Sequence, residues 1–164
     1  MASSIPLRRR VEYARGFLEL GLLEDARAEI EALDPKDRRS MDALSAMVDI
    51  EMEAKRWSEV IATASHAVQE HPACERGWIG WAYALRELKR VEEARDILLQ
   101  AEQELGDACG LLHYNLSCYF CLLGDLEEAQ RRLERACQLD SDWRGTALED
   151  PDLEALKPQL LGSS

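Results

Sequence analysis

Residues 110–143 read GLLHYNLSCYFCLLGDLEEAQRRLERACQLDSDW and predict two short helices joined by a tight turn. In the first half, apolar residues recur every three or four positions, the spacing that lines one face of a helix. Gly124 predicts the end of that helix, because glycine readily adopts the left-handed backbone of a helix C-cap. Asp125 then predicts the N-cap of the next helix.

The second predicted helix has a small, apolar inner side and a charged outer side. The inner residues are Leu126, Ala129, Leu133 and Ala136. On the outer side, the i,i+4 spacing predicts ion pairs from Glu127 to Arg131 and from Glu128 to Arg132, each worth about 0.2–0.5 kcal/mol. Two amphipathic helices joined by so short a turn pack antiparallel, so the stretch predicts a helical hairpin.

The same pattern recurs upstream at a spacing of 34 residues. Four blocks are in register: 7–40, 41–74, 75–108 and, after one extra residue at Cys109, 110–143. The turns within the blocks read ELGLLEDA, EAKRWSEV, ELKRVEEA and LLGDLEEA. Small residues mark the closest helix crossing at Ala26, Ala94 and Ala129, with Val60 as the exception. A single hairpin cannot bury both of its faces, so the repetition predicts stacked helix pairs.

This pattern resembles the tetratricopeptide repeat, whose first helix carries an aromatic, a leucine, a small residue and an aromatic. The third block offers Trp78, Trp81, Ala82 and Leu85, and the fourth offers His113, Leu116, Ser117 and Phe120. The first block has Arg10, Tyr13, Ala14 and Phe17, and the second has Leu44, Met47, Val48 and Glu51. The resemblance implies an all-α fold: a right-handed α-solenoid of about four helix-turn-helix repeats, forming a single domain over residues 1–164.

A capping segment, residues 144–164, is predicted to follow the last repeat. Asp150 before Pro151 predicts an N-cap with proline in the first turn, and Leu153, Leu156 and Leu160 form a short apolar stripe. Terminal repeats need such a cover for their exposed apolar face. The ending also resembles the tails of many bacterial members of the family, which indicates a bacterial type.

The composition limits which partners the protein can bind and in which cellular compartment it is expected. The chain has 164 residues, 20 basic and 32 acidic, for a net charge of −12, which argues against a nucleic-acid partner. No apolar stretch approaches the ~18 residues of a membrane span, and no secretory signal follows Arg8–Arg10, so we expect a cytoplasmic protein. The three arginines are interpreted as a solvated helix start, with a membrane-surface or nucleic-acid patch as the alternative.

The five cysteines are odd in number and scattered, which favours a reducing compartment over a disulfide framework. Cys118 and Cys121 lie on one helical face, so a thiol or metal site is an alternative. Structural zinc needs four ligands, however, and there is no second pair at ligand spacing, so packing is the preferred interpretation. The sequence also contains no phosphate loop, G-x-S-x-G or H-E-x-x-H motif. We therefore predict no enzyme, no cofactor and no metal.

The resemblance places the function in a concave groove lined by the first helix of each repeat. Carried over by register, the candidate partner-binding residues are Arg8, Arg15, Asp49, Arg76, Ile79, Tyr83, Arg86, Tyr114, Asn115 and Cys118. The lysine and asparagine with which some members clamp a C-terminal carboxylate find no match in the first block.

Within this set we favour a patch of Arg76, Arg86, Tyr83, Tyr114 and Asn115. Arginine pairs with a carboxylate through two parallel hydrogen bonds, tyrosine gives rigid contact area, and asparagine both donates and accepts. The alternative for Tyr83 and Tyr114 is packing between repeats.

The predicted function is a non-enzymatic adaptor that binds a peptide or helix of another protein in the groove. Two alternatives stay open: a small acidic secretion-type chaperone, and a self-assembling structural module that would form a homo-oligomer.

Overall fold

The structure, a computed structural model, describes residues 5–162, and within that range it consists of ten α-helices and two 3₁₀ helices without a strand. The four helix pairs are α1 (Leu7–Glu19) with α2 (Leu23–Glu31), α3 (Met41–Glu53) with α4 (Trp57–Glu70), α5 (Glu75–Glu87) with α6 (Val91–Leu105), and α7 (Gly110–Leu122) with α8 (Leu126–Leu139). They are followed by α9 (Trp143–Glu149), a 3₁₀ helix (Pro151–Leu156) and α10 (Lys157–Gly162), and a short 3₁₀ helix (Asp37–Arg39) precedes α3. The prediction of an all-α chain of four helix-turn-helix repeats is confirmed.

All four turns within the pairs share one backbone conformation. The residues with a left-handed backbone are Gly21, Lys55, Lys89 and Gly124, with φ of 74°, 54°, 65° and 85°. The next residue in each turn donates its amide hydrogen to the carbonyl five positions back, with N···O distances of 2.9, 2.9, 2.8 and 3.0 Å. This is the Schellman arrangement, which satisfies the last carbonyl groups of a helix. The register read from the sequence, including the extra residue at Cys109, is therefore present in the backbone.

The small residues predicted at the helix crossings are buried. Ala26, Val60, Ala94 and Ala129 all have zero exposure, so the valine in the second repeat is accommodated without being pushed outward. Close approach of two helices depends on such small side chains, because interaxial distances of about 8–10 Å leave little room.

The chain divides into two compact units, Met1–Ala84 and Leu85–Ser164, and the boundary falls inside α5. In the first unit, one core cluster includes Val11, Ala14, Ile30 and Ile50, and a second joins Val48, Val60, Ala64 and Ala84. The single domain expected over residues 1–164 stays a prediction.

In the second unit, the C-terminal segment (residues 143–162) packs against α7 and α8. Leu153 and Leu156 are 0% and 1% exposed, as expected of a cover for an apolar face. The predicted N-cap is confirmed, because the Asp150 carboxylate accepts a hydrogen bond from the Asp152 amide at 2.9 Å. The element that follows is a 3₁₀ helix, and α10 begins at Lys157.

The charged outer side predicted for α8 is partly wrong. Arg132 is buried, with 6% exposure, and no ion pair between Glu127 and Arg131 is present among the described residues. The predicted pair between Glu128 and Arg132 is confirmed, at 2.8 Å to Arg132 Nε, and Glu128 also pairs with Arg131. Arg132 is buried because its side chain points toward α6 and α7, where Glu102 and His113 accept its hydrogen bonds.

Within residues 5–162, no helix combines the length and the apolar character that are needed to cross a bilayer.

Candidate functional site

In the first unit, three of the candidate residues lie around one open depression. Arg15, Asp49 and Arg76 line it together with residues of α3 and the start of α5, and its cavity volume is about 380 Å³. The Arg76 guanidinium pairs with the Asp49 carboxylate, while Arg15 is exposed. Nearby, Ser45 Oγ lies 3.4 Å from Cys74 Sγ. Because Asp42 and Glu75 also line it, the depression presents two arginines and three carboxylates.

The other candidates of the first unit lie apart from that depression. Arg8 is exposed and pairs with Glu12 at 3.1 Å. Ile79 is buried, with 3% exposure, and belongs to the core. Tyr83 is partly exposed, and its ring centre lies 5.9 Å from that of Trp57.

The three consecutive arginines have different surroundings. Arg10 donates to Glu29 at 2.8 Å in a partly buried pair, which ties α1 to α2. Arg8 and Arg9 are exposed at the start of α1. This arrangement agrees with the interpretation of the arginines as a helix start.

In the second unit, Arg86 at the end of α5 binds the carboxylate of Asp152. Its Nε donates to Asp152 Oδ2 at 2.8 Å, and a second, parallel bond runs from its terminal nitrogen to Asp152 Oδ1. Its other terminal nitrogen donates to Glu87 at 2.8 Å. The hydrogen bonds to Asp152 raise the pKa of Arg86 above its ordinary value. This is the bidentate geometry by which arginine recognises carboxylates.

Next to Arg86 lies the α7 face, which we define as the side of α7 that carries Tyr114, Cys118 and Cys121. The Tyr114 hydroxyl donates to Asp150 Oδ2 at 2.7 Å, and its ring stacks on Trp143 with centres 4.6 Å apart. Burial, together with the bond to Asp150, raises the pKa of Tyr114. Asn115, the neighbouring candidate, is half-buried.

The two thiols of the α7 face are kept protonated. Cys118 Sγ lies 3.7 Å from Asp150 Oδ2, and burial, followed by the charge of Asp150, raises its pKa. Burial also raises the pKa of Cys121. Because the thiolate is the reactive form, this environment disfavours redox or nucleophilic chemistry at either cysteine.

Two groups of side chains have the spacing of metal ligands, with donor atoms within 4.8 Å of one another: Glu102, Asp107 and His113, and Cys118, Asp150 and Asp152. The first group surrounds Arg132, whose guanidinium donates to Glu102 at 2.6 Å and lies 3.3 Å from His113 Nδ1. In the second group, Arg86 and Tyr114 bind the two carboxylates. A metal ion would have to compete with an arginine in each case, so both groups act as hydrogen-bonded networks.

The structure therefore brings the candidates together in two separate sets. Arg15, Asp49 and Arg76 meet in the first unit, and Arg86, Tyr114 and Cys118 meet in the second around Asp150 and Asp152. Assignment of the ten candidates to partner binding stays a prediction.

Sequence reasoning missed Trp143, Asp150 and Asp152 as members of the second set. Asp152 is 66 residues from Arg86 in the chain, so no local spacing links them. The available signal was charge complementarity between the Asp-Pro-Asp tail and an arginine of the third repeat.

No protein-family model and no curated protein matches the sequence. Solved structures do match it. Pseudomonas aeruginosa PilF is 25% identical, with a TM-score of 0.74 over 93% of this chain and 69% of its own. A thermophilic tetratricopeptide repeat protein of Thermus thermophilus is 18% identical, with a TM-score of 0.73 over 95% of this chain and 99% of its own. The chain has the tetratricopeptide repeat fold.

A further structure similar to this tetratricopeptide repeat chain is MamA from Desulfovibrio magneticus RS-1. It is 13% identical, with a TM-score of 0.72 over 94% of this chain and 90% of its own. The resemblance read from the turn and crossing positions is thus confirmed by fold comparison, although none of the three proteins shares more than a quarter of its aligned residues with this chain.

Proposed function

We propose that this tetratricopeptide repeat chain is a non-enzymatic protein-interaction module that binds a segment of another protein on the faces of its first helices. The observation that supports this most directly is in the second unit. There, Arg86 and the α7 face hold residues 150–156, a short peptide-like stretch of the same chain.

The contacts made by residues 150–156 are of the kinds that proteins use to recognise peptides. A carboxylate is fixed by a bidentate arginine and another by a tyrosine hydroxyl, and both kinds of bond are directional. Two leucines supply buried apolar area beside these polar contacts. A surface that combines arginine, tyrosine and buried leucine has the composition of a binding hot spot.

We further infer that the module acts without a cofactor or a catalytic step, in the cytoplasm. The buried thiols are protonated and the acidic groups beside them are hydrogen-bonded, which argues against catalysis at the α7 face. The five cysteines all lie within residues 5–162 and are free thiols there, in keeping with a reducing compartment. The structural neighbours do not favour the secretion-chaperone or self-assembly alternatives.

Photo-crosslinking tests the proposal. Tyr83 occupies the repeat position of Asp49 and Cys118 on a first helix and is partly exposed, so p-benzoylphenylalanine in its place should crosslink the partner in a lysate of the source organism. The matched control carries the same group in place of Glu127, an exposed residue of the second helix α8.

We expect one crosslinked protein from the Tyr83 position and none from the Glu127 position. Mass spectrometry of the adduct then identifies the bound segment. Equal adducts from both positions, or adducts only between copies of this chain, would contradict the proposal.

A further inference from the structure

The α7 face of the second unit is already covered by residues 150–156 of the same chain. Asp150 accepts a hydrogen bond from the Tyr114 hydroxyl at 2.7 Å, and Asp152 accepts two hydrogen bonds from Arg86. Arg86 and Tyr114, which the proposed function assigns to a partner, are therefore already bound by residues of the same chain. The inference below rests on the proposed function.

The cover is recognised along its whole length. After the two aspartates, Leu153 and Leu156 are buried with 0% and 1% exposure. The 3₁₀ helix to which these leucines belong packs against α7. Carboxylates and leucines each meet a complementary group, as the residues of a bound peptide do.

Residues 151–156 form one short 3₁₀ helix, a form with poorer hydrogen-bond geometry than the α-helix. Asp150 before it has an extended backbone, with φ −78° and ψ 119°. The Asp152 and Arg86 side chains keep 14% and 22% exposure, so a competing carboxylate in solution can reach the pair.

α9 makes a separate contribution to the cover of the last repeat. Trp143 at its start stacks on Tyr114, and Ala147 within it is fully buried. The stacking of Trp143 on Tyr114 therefore does not involve residues 150–156.

We propose that residues 150–156 are an internal ligand, which a partner must displace and whose chemistry the partner shares. The partner segment is acidic, with two carboxylates two positions apart, followed by leucines one and four positions after the second carboxylate. Arg86 and Tyr114 bind its carboxylates, and the space left by Leu153 and Leu156 takes its leucines.

Because residues 150–156 occupy the α7 face, they lower its apparent affinity for such a partner segment. The dissociation constant is raised by the inverse of the fraction of molecules whose α7 face is open. A variant that opens the face should therefore bind the segment more tightly than the wild type, although it makes no new contact.

The probe is a fluorescein-labelled peptide of residues 149–157, EDPDLEALK, added to the full chain. The opened variant carries Asp150→Asn and Asp152→Asn, which removes the two carboxylates bound by Tyr114 and Arg86. Its matched control carries Glu149→Gln and Glu154→Gln, the same change in charge at exposed positions. A second opened variant, Leu153→Ala with Leu156→Ala, removes the apolar anchors instead.

We expect at least about tenfold tighter peptide binding by an opened variant than by the wild type and the control. Adding Arg86→Ala to the opened variant should lower the affinity by about tenfold or more, because the bidentate bond is lost. Hydrogen exchange should show faster exchange at residues 150–156 in the opened variant while α7 and α8 stay protected.

The inference would be overturned by equal peptide binding in all variants, by no effect of Arg86→Ala, or by loss of protection in α7 and α8 in both opened variants. The last result would make residues 150–156 an inseparable part of the fold. Crosslinking of a partner at Tyr83 together with any of these results would leave the proposed function in place and refute only the internal ligand. If the peptide binds as expected but no partner is crosslinked at Tyr83, the result would contradict partner binding on the first helices other than α7.

Discussion

Lys55 and Lys89 hold a backbone conformation that side chains other than glycine rarely adopt. Their φ values are 54° and 65°, at the turn position that Gly21 and Gly124 occupy in the first and last repeats. A left-handed backbone costs a residue with a Cβ roughly 1–2 kcal/mol, because the Cβ crowds the following carbonyl oxygen. The two middle repeats therefore retain strain at their turns that the outer repeats avoid.

We predict that Lys89→Gly raises the free energy of unfolding by about 1 kcal/mol, since relief of this strain exceeds the added entropy of glycine in the unfolded chain. Urea unfolding followed by circular dichroism measures the change. The control is Lys36→Gly, where φ is −71° and glycine should destabilise by about 0.5–1 kcal/mol. A loss of stability at both positions would contradict the strain argument.

Glu51 is a buried acid at a repeat position where other repeats have Phe17, Leu85 and Phe120. One carboxylate oxygen lies 3.6 Å from Arg27, and the other has no hydrogen-bond partner among the described residues. Burial raises the pKa of Glu51 above its ordinary value of 4.5, and Thr63 and Arg27 offset only part of that rise.

The raised pKa determines the sign of a pH effect. As pH rises through and above 4.5, the unfolded state releases this proton more readily than the folded state, so the folded state loses stability. We therefore expect Glu51→Gln to be more stable than the wild type at neutral pH, with the difference shrinking as the pH falls below 4.5. Glu53→Gln, an exposed position of the same helix, is the control for the change in net charge. A difference that grows as the pH falls would show that the Arg27 pair dominates.

At the scale of the elements, Arg132 joins three helices of the second unit. From α8 it donates to Glu102 of α6 at 2.6 Å and to Glu128 of its own helix at 2.8 Å, and it lies 3.3 Å from His113 Nδ1 of α7. Burial lowers the pKa of Arg132, but its bonds to the two glutamates outweigh this, and the net shift is upward. On the other side of the ring, His113 Nε2 lies 2.7 Å from Asp107.

Removing this arginine should be costly. We predict that Arg132→Ala lowers the free energy of unfolding by about 2–4 kcal/mol, because His113 and the partly buried glutamates lose their partner. Arg131→Ala should change stability by no more than about 0.5 kcal/mol, since Arg131 is largely exposed. Chemical denaturation of both variants gives the comparison, and equal losses would show that the network contributes nothing specific.

The sequence predicted the helix pairs and their turns well, because those features depend on local spacing. The inward position of Arg132 was not predictable in that way, since the i,i+4 rule considers one helix alone. A signal was nevertheless present. Arg10 with Glu29 and His113 with Arg132 are both 19 residues apart at equivalent positions of the first and last repeats. At the first of these positions the middle repeats have the apolar Leu44 and Trp78.

At the scale of the whole molecule, the five thiols should differ in their reactivity. Cys74, Cys118 and Cys121 are buried, whereas Cys109 and Cys137 are only partly buried. Because burial also raises the pKa of Cys118 and Cys121, these two should be alkylated last under native conditions.

Time-resolved iodoacetamide labelling with mass spectrometry tests this order. We expect Cys109 to be labelled before Cys118 and Cys121, and all cysteines to react together in denaturant. The Asp150→Asn, Asp152→Asn variant should speed labelling of Cys118 and Cys121 without changing Cys109. Early labelling of Cys118 in the wild type would contradict its buried, protonated state.

The candidate site was predictable only in part, because some of its residues are brought together from distant parts of the chain. The repeat register assigned Arg86 and Tyr114 to a first-helix face. In the second unit, Arg86 binds Asp152 and Tyr114 binds the nearby Asp150. Their partners come from a tail whose path depends on where α9 and the 3₁₀ helix turn back, which no repeat pattern encodes. Ile79 lies at a groove position by register but is buried, because exposure depends on neighbouring elements.

The extra residue at Cys109 falls between α6 and α7, whereas every turn inside a pair keeps the same length and the same left-handed position. Inserting one residue inside a helix rotates everything beyond it by about 100°, which would move an apolar stripe to the solvent. Inserting one in the link after Leu105 only lengthens a connection. At the exposed residue Ala108, a foreign sequence such as an epitope or a protease cleavage site should therefore disturb the fold less than one inserted within a helix.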